Sequence, residues 1–370
     1  MNPPSPTQLD DSRCIQFLEN LVSIPSLSGD EKAAAEFLVD QFQELGFDSS
    51  YLDSVNNAVG IRGRSEAKIT IMLLGHIDTV PGHIPVRIEN GELYGRGSVD
   101  AKGSLATFAL AAAQVTLPPD IRLVVAGAVE EESATSKGAR QIARDFTADY
   151  CLIGEPSSAA AITLGYKGRI LVEYHHRVAM AHSAGPEKSA AELAAEFWQR
   201  TREYCDEFNH NKNRLFEQLL PSLRSINSQS DGLDATASCK IGIRLPPDFD
   251  IDDLRAKLTD DAGAGQVTFH GYEAAHQSDR SHQLCRALAG AIRESGKRPT
   301  YKLKTGTADM NVVAPIWKCP ILAYGPGDSS LDHTPNERLP LSEFNTAVKI
   351  LTKALNRLAT TLNTAVDPAG

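Results

Sequence analysis

This chain of 370 residues lacks several features that would assign it to a particular class of protein. Its six cysteines are scattered without a Cys-x-x-Cys pair, which argues against a disulfide framework and against a thiolate zinc site. No apolar run approaches the roughly 18 to 20 residues that a membrane span requires. The first residues have neither a basic nor an apolar region and do not resemble a signal peptide. We therefore expect a cytoplasmic protein.

The composition is also short of positive charge. The formal net charge is −10, which argues against a surface that binds nucleic acid. Apolar residues make up 42% of the chain and charged residues 23%, values typical of a globular protein. The length is sufficient for two hydrophobic cores.

Hydrophobic periodicity divides the chain into two kinds of pattern. Up to about residue 163, apolar runs typical of strands alternate with helical patterns, which predicts an α/β fold with a mostly parallel sheet and helices on both faces. Residues 170–178 instead alternate like an antiparallel strand, and residues 189–209 follow as a long amphipathic helix. We predict a first domain of residues 1–163 and 277–370, interrupted by a smaller α+β domain of residues 164–276.

Periodicity also marks the return to the first domain. A helical pattern begins near residue 284, residues 317–324 favour a strand, and residues 341–358 favour a closing helix. The glycine-rich segment 325–335 is expected to be a loop between this strand and this helix.

Histidines and carboxylates stand where the predicted strands or glycine turns end. His76 and Asp78 follow the apolar run 69–74, and both side chains are expected on one face. The other positions are Asp100 between two glycine-rich turns, Glu130, Glu131 and Glu132 after residues 121–129, Glu155 after residues 150–153, and His333 in the loop 325–335. Two histidines and three carboxylates form a donor set suited to two zinc or cobalt ions that share one carboxylate.

The order and spacing of these motifs resemble the two-metal amidohydrolase family of aminoacylases, acetylornithine deacetylases, succinyl-diaminopimelate desuccinylases and glutamate carboxypeptidases. The resemblance covers nearly the whole chain. Within the family, segments 130–132, 165–169 and 305–311 are most similar to hydrolases that release lysine or ornithine from a LysW-type amino-group carrier protein. The resemblance therefore implies a hydrolase of lysine or arginine biosynthesis whose catalytic domain is split by a smaller, dimer-forming domain.

The resemblance also implies roles for the clustered residues. Asp100 would bridge two divalent ions, Zn²⁺ or Co²⁺, with His76 and Glu155 completing one site and Glu132 and His333 completing the other. Asp78 would hydrogen-bond the far nitrogen of His76. Glu131 would be the general base. Asp78, Glu131 and the five ligands make up the predicted catalytic centre.

The triple glutamate allows two interpretations. The family pattern places Glu130 in its first acidic position, so that Glu131 is the base and Glu132 the ligand. The alternative is an acidic helix N-terminus that the helix dipole favours. That alternative explains one glutamate well and three poorly.

Further roles are implied for residues of the inserted domain and for one turn outside it. His182 resembles a family histidine that reaches into the site of a partner subunit, which would make the active site shared within a homodimer and leave a monomer nearly inactive. Substrate recognition would fall on Arg244, whose guanidinium suits a carboxylate, with the turn Thr305, Gly306 and Thr307 as a second candidate and Asn227 as a third. Tyr166, Lys167 and Arg169 could meet the acyl side of the substrate or an acidic carrier protein, or could belong to an ordinary solvated strand end.

Several functions are compatible with these residues. A deacetylase acting on free acetylornithine or acetyl-lysine would use the same catalytic groups, and a dipeptidase or carboxypeptidase is a more distant alternative. A dimeric binding module without catalysis is a third possibility, but such a module would be expected to have lost a ligand or the base. All five proposed ligands and Glu131 are present.

Overall fold

The chain divides into two compact units. The computed structural model describes residues 9–182 and 184–366. The first unit comprises Met1–Gly165, Ser278–Leu303 and Ala308–Gly370, and the second comprises Tyr166–Gln277 and Lys304–Thr307. Residues 304–307 were predicted in the first domain but lie in the second unit, because the Lys304 carbonyl accepts the Lys167 N–H at 3.2 Å and joins this short segment to it. Within the described ranges, no helix is long and apolar enough to cross a membrane.

The helices and strands are numbered along the chain. The first stretch contains α1 (Asp11–Ser23), α2 (Lys32–Glu44), β1 (Ser49–Leu52), β2 (Ala58–Arg62), β3 (Ile69–His76), β4 (Arg87–Glu89), β5 (Glu92–Tyr94), α3 (Lys102–Ala113), β6 (Ile121–Ala128), α4 (Lys137–Asp145), β7 (Tyr150–Gly154) and β8 (Ala161–Tyr166). The second stretch contains β9 (Gly168–Ala179), α5 (Ala190–Asn209), a 3₁₀ turn (Leu215–Glu217), β10 (Leu220–Ser230), β11 (Asp234–Leu245), α6 (Ile251–Asp261), β12 (Gln266–Glu273) and β13 (His276–Gln277). The last stretch contains α7 (Gln283–Glu294), β14 (Thr300–Lys304), α8 (Asp309–Trp317), β15 (Ile321–Ala323), a 3₁₀ turn (Ser329–Leu331), β16 (Arg338–Pro340) and α9 (Leu341–Val366).

The main sheet of the first unit has a parallel centre. Its strand order runs β1-β2-β6-β3-β7-β15-β8, and β14 also pairs with β8. The central strands β6, β3, β7 and β15 are parallel to one another, whereas β1, β2 and β8 are antiparallel to their neighbours. The predicted α/β fold is confirmed as a mixed sheet. The parallel strands are the apolar runs that are buried on both faces.

Helix α3 is buried along its whole length. Its alanine-rich sequence has no polar face, so it packs against other elements on every side. Gly103 in its first turn is required by a close approach, since a Cβ there would lie 2.4 Å from the Ser98 carbonyl oxygen. This packing brings the start of α3 against the loop that carries Asp100.

The second unit has its own core. The antiparallel sheet β10-β11-β9-β12 is covered by α5 and α6, whose apolar residues are buried against it. Tyr174 of β9 stacks on Phe197 of α5 with ring centroids 4.3 Å apart. Helix α5 begins with a capping box between Ser189 and Glu192, as its sequence pattern favours.

Three elements differ from the sequence predictions. Residues 317–324 were predicted as a strand, but Trp317 ends α8 and only Ile321–Ala323 is extended. The helix α8 was not predicted because it contains Pro315 and lies in a segment without clear periodicity. The closing helix was expected to end near residue 358 and instead continues to Val366.

Candidate metal centre

Three neighbouring strands of the first unit end at the same edge of the sheet. β3 is parallel to β6 and β7, with His76 aligned to Ala128 and Gly75 aligned to Gly154. The triple glutamate after β6 and Glu155 after β7 therefore emerge beside His76 at the end of β3. This edge is where open α/β sheets bind ligands.

Asp100 lies between the two predicted histidine ligands. Its Oδ1 is 3.2 Å from His76 Nε2, and its Oδ2 is 3.1 Å from His333 Nε2. His333 Nε2 is also 2.9 Å from Glu132 Oε1. Donor atoms of His76, Asp100 and Glu155 lie within 4.8 Å of one another, as do those of Asp100, Glu132 and His333. The five predicted ligands thus form two groups that share Asp100.

Crowded carboxylates control the protonation of this cluster. Burial, followed by the charge of Asp100, raises the pKa of Glu132 to about 7. Burial alone would raise the pKa of Asp100, but hydrogen bonds from His333 and His76 hold it below its usual value. The hydrogen bond to Asp100 raises the pKa of His333 to about 9. A divalent cation would relieve the repulsion between these carboxylates, as protonation does. This set of nitrogen and oxygen donors therefore fits metal binding.

Asp78 is fully buried and fixes the glutamates beside His76. Its Oδ1 accepts the Glu131 N–H and its Oδ2 accepts the Glu132 N–H, each at 3.0 Å. The Ser28 hydroxyl also donates to Oδ2 at 2.7 Å. The expected hydrogen bond to His76 differs in detail, since Nδ1 lies 3.0 Å from the main-chain oxygen of Asp78 and 3.5 Å from its carboxylate. The carboxylate is directed mainly toward the backbone amides.

The three glutamates occupy different environments. Glu130 has φ 58°, and its carboxylate accepts the Thr135 hydroxyl at 2.7 Å and pairs with Lys137 at 3.4 Å. Glu131 and Glu132 instead lie with His76 in a third group of donor atoms within 4.8 Å. Helix α4 begins only at Lys137, so the glutamates do not form its first turn. This arrangement supports the register that the sequence favours.

Comparison with known proteins identifies the family. The sequence model that describes peptidase family M20/M25/M40 matches residues 72–357 of this chain. The chain belongs to this family. It is 48% identical over 354 residues to the [LysW]-lysine hydrolase of Deinococcus radiodurans, with 93% of this chain and 96% of that protein covered. It is 39% identical to a putative [LysW]-lysine/[LysW]-ornithine hydrolase of Pyrococcus furiosus, with 93% and 97% covered.

Solved structures of the family share the fold. The aminopeptidase PepT of Bacillus cereus matches with a TM-score of 0.78 at 17% identity, covering 95% of this chain and 99% of that one. A metallo-carboxypeptidase of Sulfolobus solfataricus matches with a TM-score of 0.76 at 18% identity, covering 95% and 100%. The predicted family is confirmed, and so is the predicted resemblance to its carrier-protein branch, because the relatives compared by sequence carry that branch's name. This family membership also confirms the prediction of a hydrolase.

The predicted substrate residues of this M20-family chain lie in its second unit. Arg244 on β11 donates to the Thr307 hydroxyl at 2.9 Å, so these two candidates lie together, with Thr305 and Gly306 in the same short segment. Asn227 is not brought to them. Arg244 aligns with Leu220 on β10, and Asn227 lies seven residues further along that strand, roughly 20 Å away.

Two other second-unit candidates have contrasting environments. His182 is exposed just beyond the end of β9, and its Nδ1 accepts the Ala184 N–H at 3.2 Å. Lys167 is fully buried and donates to the carbonyls of Leu215, Phe216 and Gln218. Desolvation lowers the pKa of Lys167 to about 8. Its ammonium therefore supports the local backbone, and the hypothesis that it meets a carrier protein is wrong.

Sequence reasoning missed two buried acids of the first unit. Asp309 lies in the first turn of α8, and its charge adds to the burial that raises the pKa of Glu131. Glu337 lies four residues after His333 and accepts backbone N–H groups of Val99 and Asp100. The only signal in the sequence for Glu337 was its position four residues after the predicted ligand His333. For Asp309 the only signal was its place in the segment 305–311 that resembles the family.

Proposed function

We propose that this chain is a metal-dependent amide hydrolase that releases L-lysine, L-ornithine or both from the C-terminal glutamate of a LysW-type carrier protein. The observation that carries the proposal is the 48% identity to the [LysW]-lysine hydrolase of Deinococcus radiodurans across 93% of this chain. The proposal places the protein in the cytoplasm, in lysine or arginine biosynthesis. The intact cluster around Asp100 supports catalysis over a role as a binding module.

The proposed cofactors are two divalent ions, Zn²⁺ or Co²⁺. His76 and Glu155 would hold one ion, Glu132 and His333 the other, and Asp100 would bridge them. A structural relative from Bacillus subtilis is described as a dinuclear metal-binding peptidase of the M20 family. When bound, such ions supply Lewis acidity that polarises the amide carbonyl and stabilises charge on its oxygen.

Glu131 is the proposed proton carrier. Burial, with added repulsion from Glu155 and Asp309, raises the pKa of Glu131 well above its usual value and makes its carboxylate a stronger base. As water attacks the amide carbon, Glu131 would take one water proton. It would return that proton to the nitrogen as the carbon–nitrogen bond breaks, leaving a free amine and the glutamate carboxyl group. Asp78 would hold Glu131 in place through its backbone N–H.

The second unit is proposed to form a homodimer and to recognise the substrate. Arg244, held by Thr307, is a candidate for binding the carboxylate of the released amino acid. The exposed position of His182 leaves it available to a partner subunit. Mixing Glu131→Ala and His182→Ala proteins tests the sharing of sites, because a mixed dimer then contains one intact site. Recovered activity supports a shared site, and no recovery refutes it.

The proposed substrate is tested by comparing three substrates in one assay. The metal-loaded protein would be supplied with a carrier protein ending in glutamyl-lysine, with acetyl-lysine and with acetyl-ornithine. The proposal expects release of lysine from the carrier at a kcat/KM well above either acetylated amino acid. Preference for an acetylated amino acid would assign the chain to deacetylation with the same catalytic residues, and no hydrolysis of any of them would refute the proposal.

A further inference from the structure

Glu337 is a fully buried acid that none of the motifs discussed above includes. Its Oε1 accepts the N–H of Val99 at 2.9 Å and the N–H of Asp100 at 3.0 Å. Its Oε2 pairs with Arg96 Nη1 at 2.8 Å. One carboxylate therefore holds the backbone of the bridging residue and is itself neutralised by an arginine. All of these residues belong to the first unit.

Asp78 makes the same arrangement with another ligand-bearing loop of the centre. Asp78 accepts the consecutive N–H groups of Glu131 and Glu132, and Glu337 accepts the consecutive N–H groups of Val99 and Asp100. Both carboxylates are fully buried. Charged acceptors make strong hydrogen bonds to backbone N–H groups, so each can fix a ligand-bearing loop.

Glu337 also joins two loops that are distant in sequence. It lies four residues after His333, whereas the amides it accepts lie 238 and 237 residues earlier. Arg96 strengthens this connection, because its Nη1 also donates to the Thr334 carbonyl at 3.2 Å. The distance between the Asp100 loop and the His333 loop is therefore set through Glu337 and Arg96.

We propose that Glu337 is a positioning residue that aligns Asp100 with His333 so that the pair can hold a metal ion. This inference rests on the two-metal centre proposed above. A positioning role of this kind affects the two metal sites unequally. The site of Asp100, Glu132 and His333 takes two of its three ligands from the loops that Glu337 and Arg96 connect, whereas the site of His76, Asp100 and Glu155 takes only one from them. Loss of Glu337 should weaken the first of these sites selectively.

Metal titration of chelated protein tests this inference. Co²⁺ would be added to wild type, Glu337→Ala, Glu337→Gln and Glu337→Asp while visible absorption, metal stoichiometry and affinity are measured. Wild type should bind two ions per chain. Glu337→Ala should retain one and bind the second about 10- to 100-fold more weakly, the usual effect of removing a residue that supports a metal ligand. Glu92→Ala is the control, because Glu92 pairs with Arg338 and not with the Asp100 loop.

The two conservative variants separate position from charge. A positioning role requires an acceptor at the correct distance from the Val99 and Asp100 amides and does not require a negative charge. Glu337→Gln keeps an acceptor at full side-chain length but turns an amide N–H group toward Arg96, so it should bind the second ion more weakly than wild type and more tightly than Glu337→Asp. The reverse order would indicate that charge alone matters and would overturn the inference. These two variants decide the question even where Glu337→Ala does not fold.

The measured stoichiometry separates failure of this inference from failure of the proposed function. Two ions of unchanged affinity in wild type and in every Glu337 variant would refute the positioning role and leave the metal centre intact. Wild-type protein that binds no ion would refute the metal centre itself. Equal weakening of both sites in Glu337→Ala, with equal loss in Glu92→Ala, would show a general structural effect and would also overturn the inference.

Discussion

Replacing Asp78 by asparagine should impair the metal centre with little change in side-chain volume. The Asp78 carboxylate accepts three hydrogen bonds, from Ser28 and from the backbone amides of Glu131 and Glu132. An asparagine amide presents N–H groups in place of one oxygen, so at least one buried donor loses its acceptor. A hydrogen bond to a charged acceptor contributes about 2 kcal/mol, which is the expected loss in the free energy of unfolding. Metal affinity or kcat should fall by about 10- to 100-fold.

The measurements are metal affinity, kcat and urea unfolding of Asp78→Asn, compared with Asp149→Asn. Asp149 accepts the Thr70 N–H at 2.8 Å, at the opposite end of the strand that ends with His76. This control should lose some stability and retain both metal affinity and kcat. Wild-type affinity and kcat in Asp78→Asn would refute the reasoning, and so would an equal loss of activity in the control.

Three further predictions concern the base, the protonation of the centre and the carrier. Glu131→Ala should abolish turnover with two ions still bound, whereas Asp100→Ala should abolish turnover and also lose metal. Retained activity in Glu131→Ala would contradict its assignment as the general base. Because the pKa of His333 is raised to about 9, a proton competes with metal below that pH, so affinity should fall as the pH is lowered from 9 to 6. Calorimetry in buffers of different ionisation enthalpy should detect proton release at pH 7, and the absence of release would contradict this competition. Lys302 and Lys304 share one face of β14 and could dock an acidic carrier protein. Changing both to Glu should therefore slow hydrolysis of the carrier substrate and spare acetyl-lysine. Equal loss on both substrates would contradict docking at these lysines.

The sequence predicted the parts of the site that follow strands. His76 and Glu155 stand directly at the ends of apolar runs, and parallel pairing brings such ends to one edge. Asp100 and His333 lie in glycine-rich loops, where periodicity gives no position, so their individual roles could be assigned only through the resemblance to a family. Their contact joins residues far apart in sequence and is a property of the tertiary fold.

The supporting residues were much harder to predict. Glu337 and Asp309 are single acids in segments without periodicity, and only packing reveals that they are buried beside the centre. Lys167 shows the opposite error, since a lysine at a strand end suggests a solvated surface, but its ammonium is enclosed by three carbonyls. Helix α8 was missed for a related reason, because its stability comes from burial and not from an amphipathic pattern.

The most direct test of the proposed function is the rate of lysine release from a carrier protein ending in glutamyl-lysine, measured while Zn²⁺ or Co²⁺ is added to chelated enzyme. We expect no release without metal and a rate that rises to a plateau at two ions per chain. Full activity in the chelated enzyme, or no release at any metal content, would contradict a metal-dependent hydrolase of the carrier.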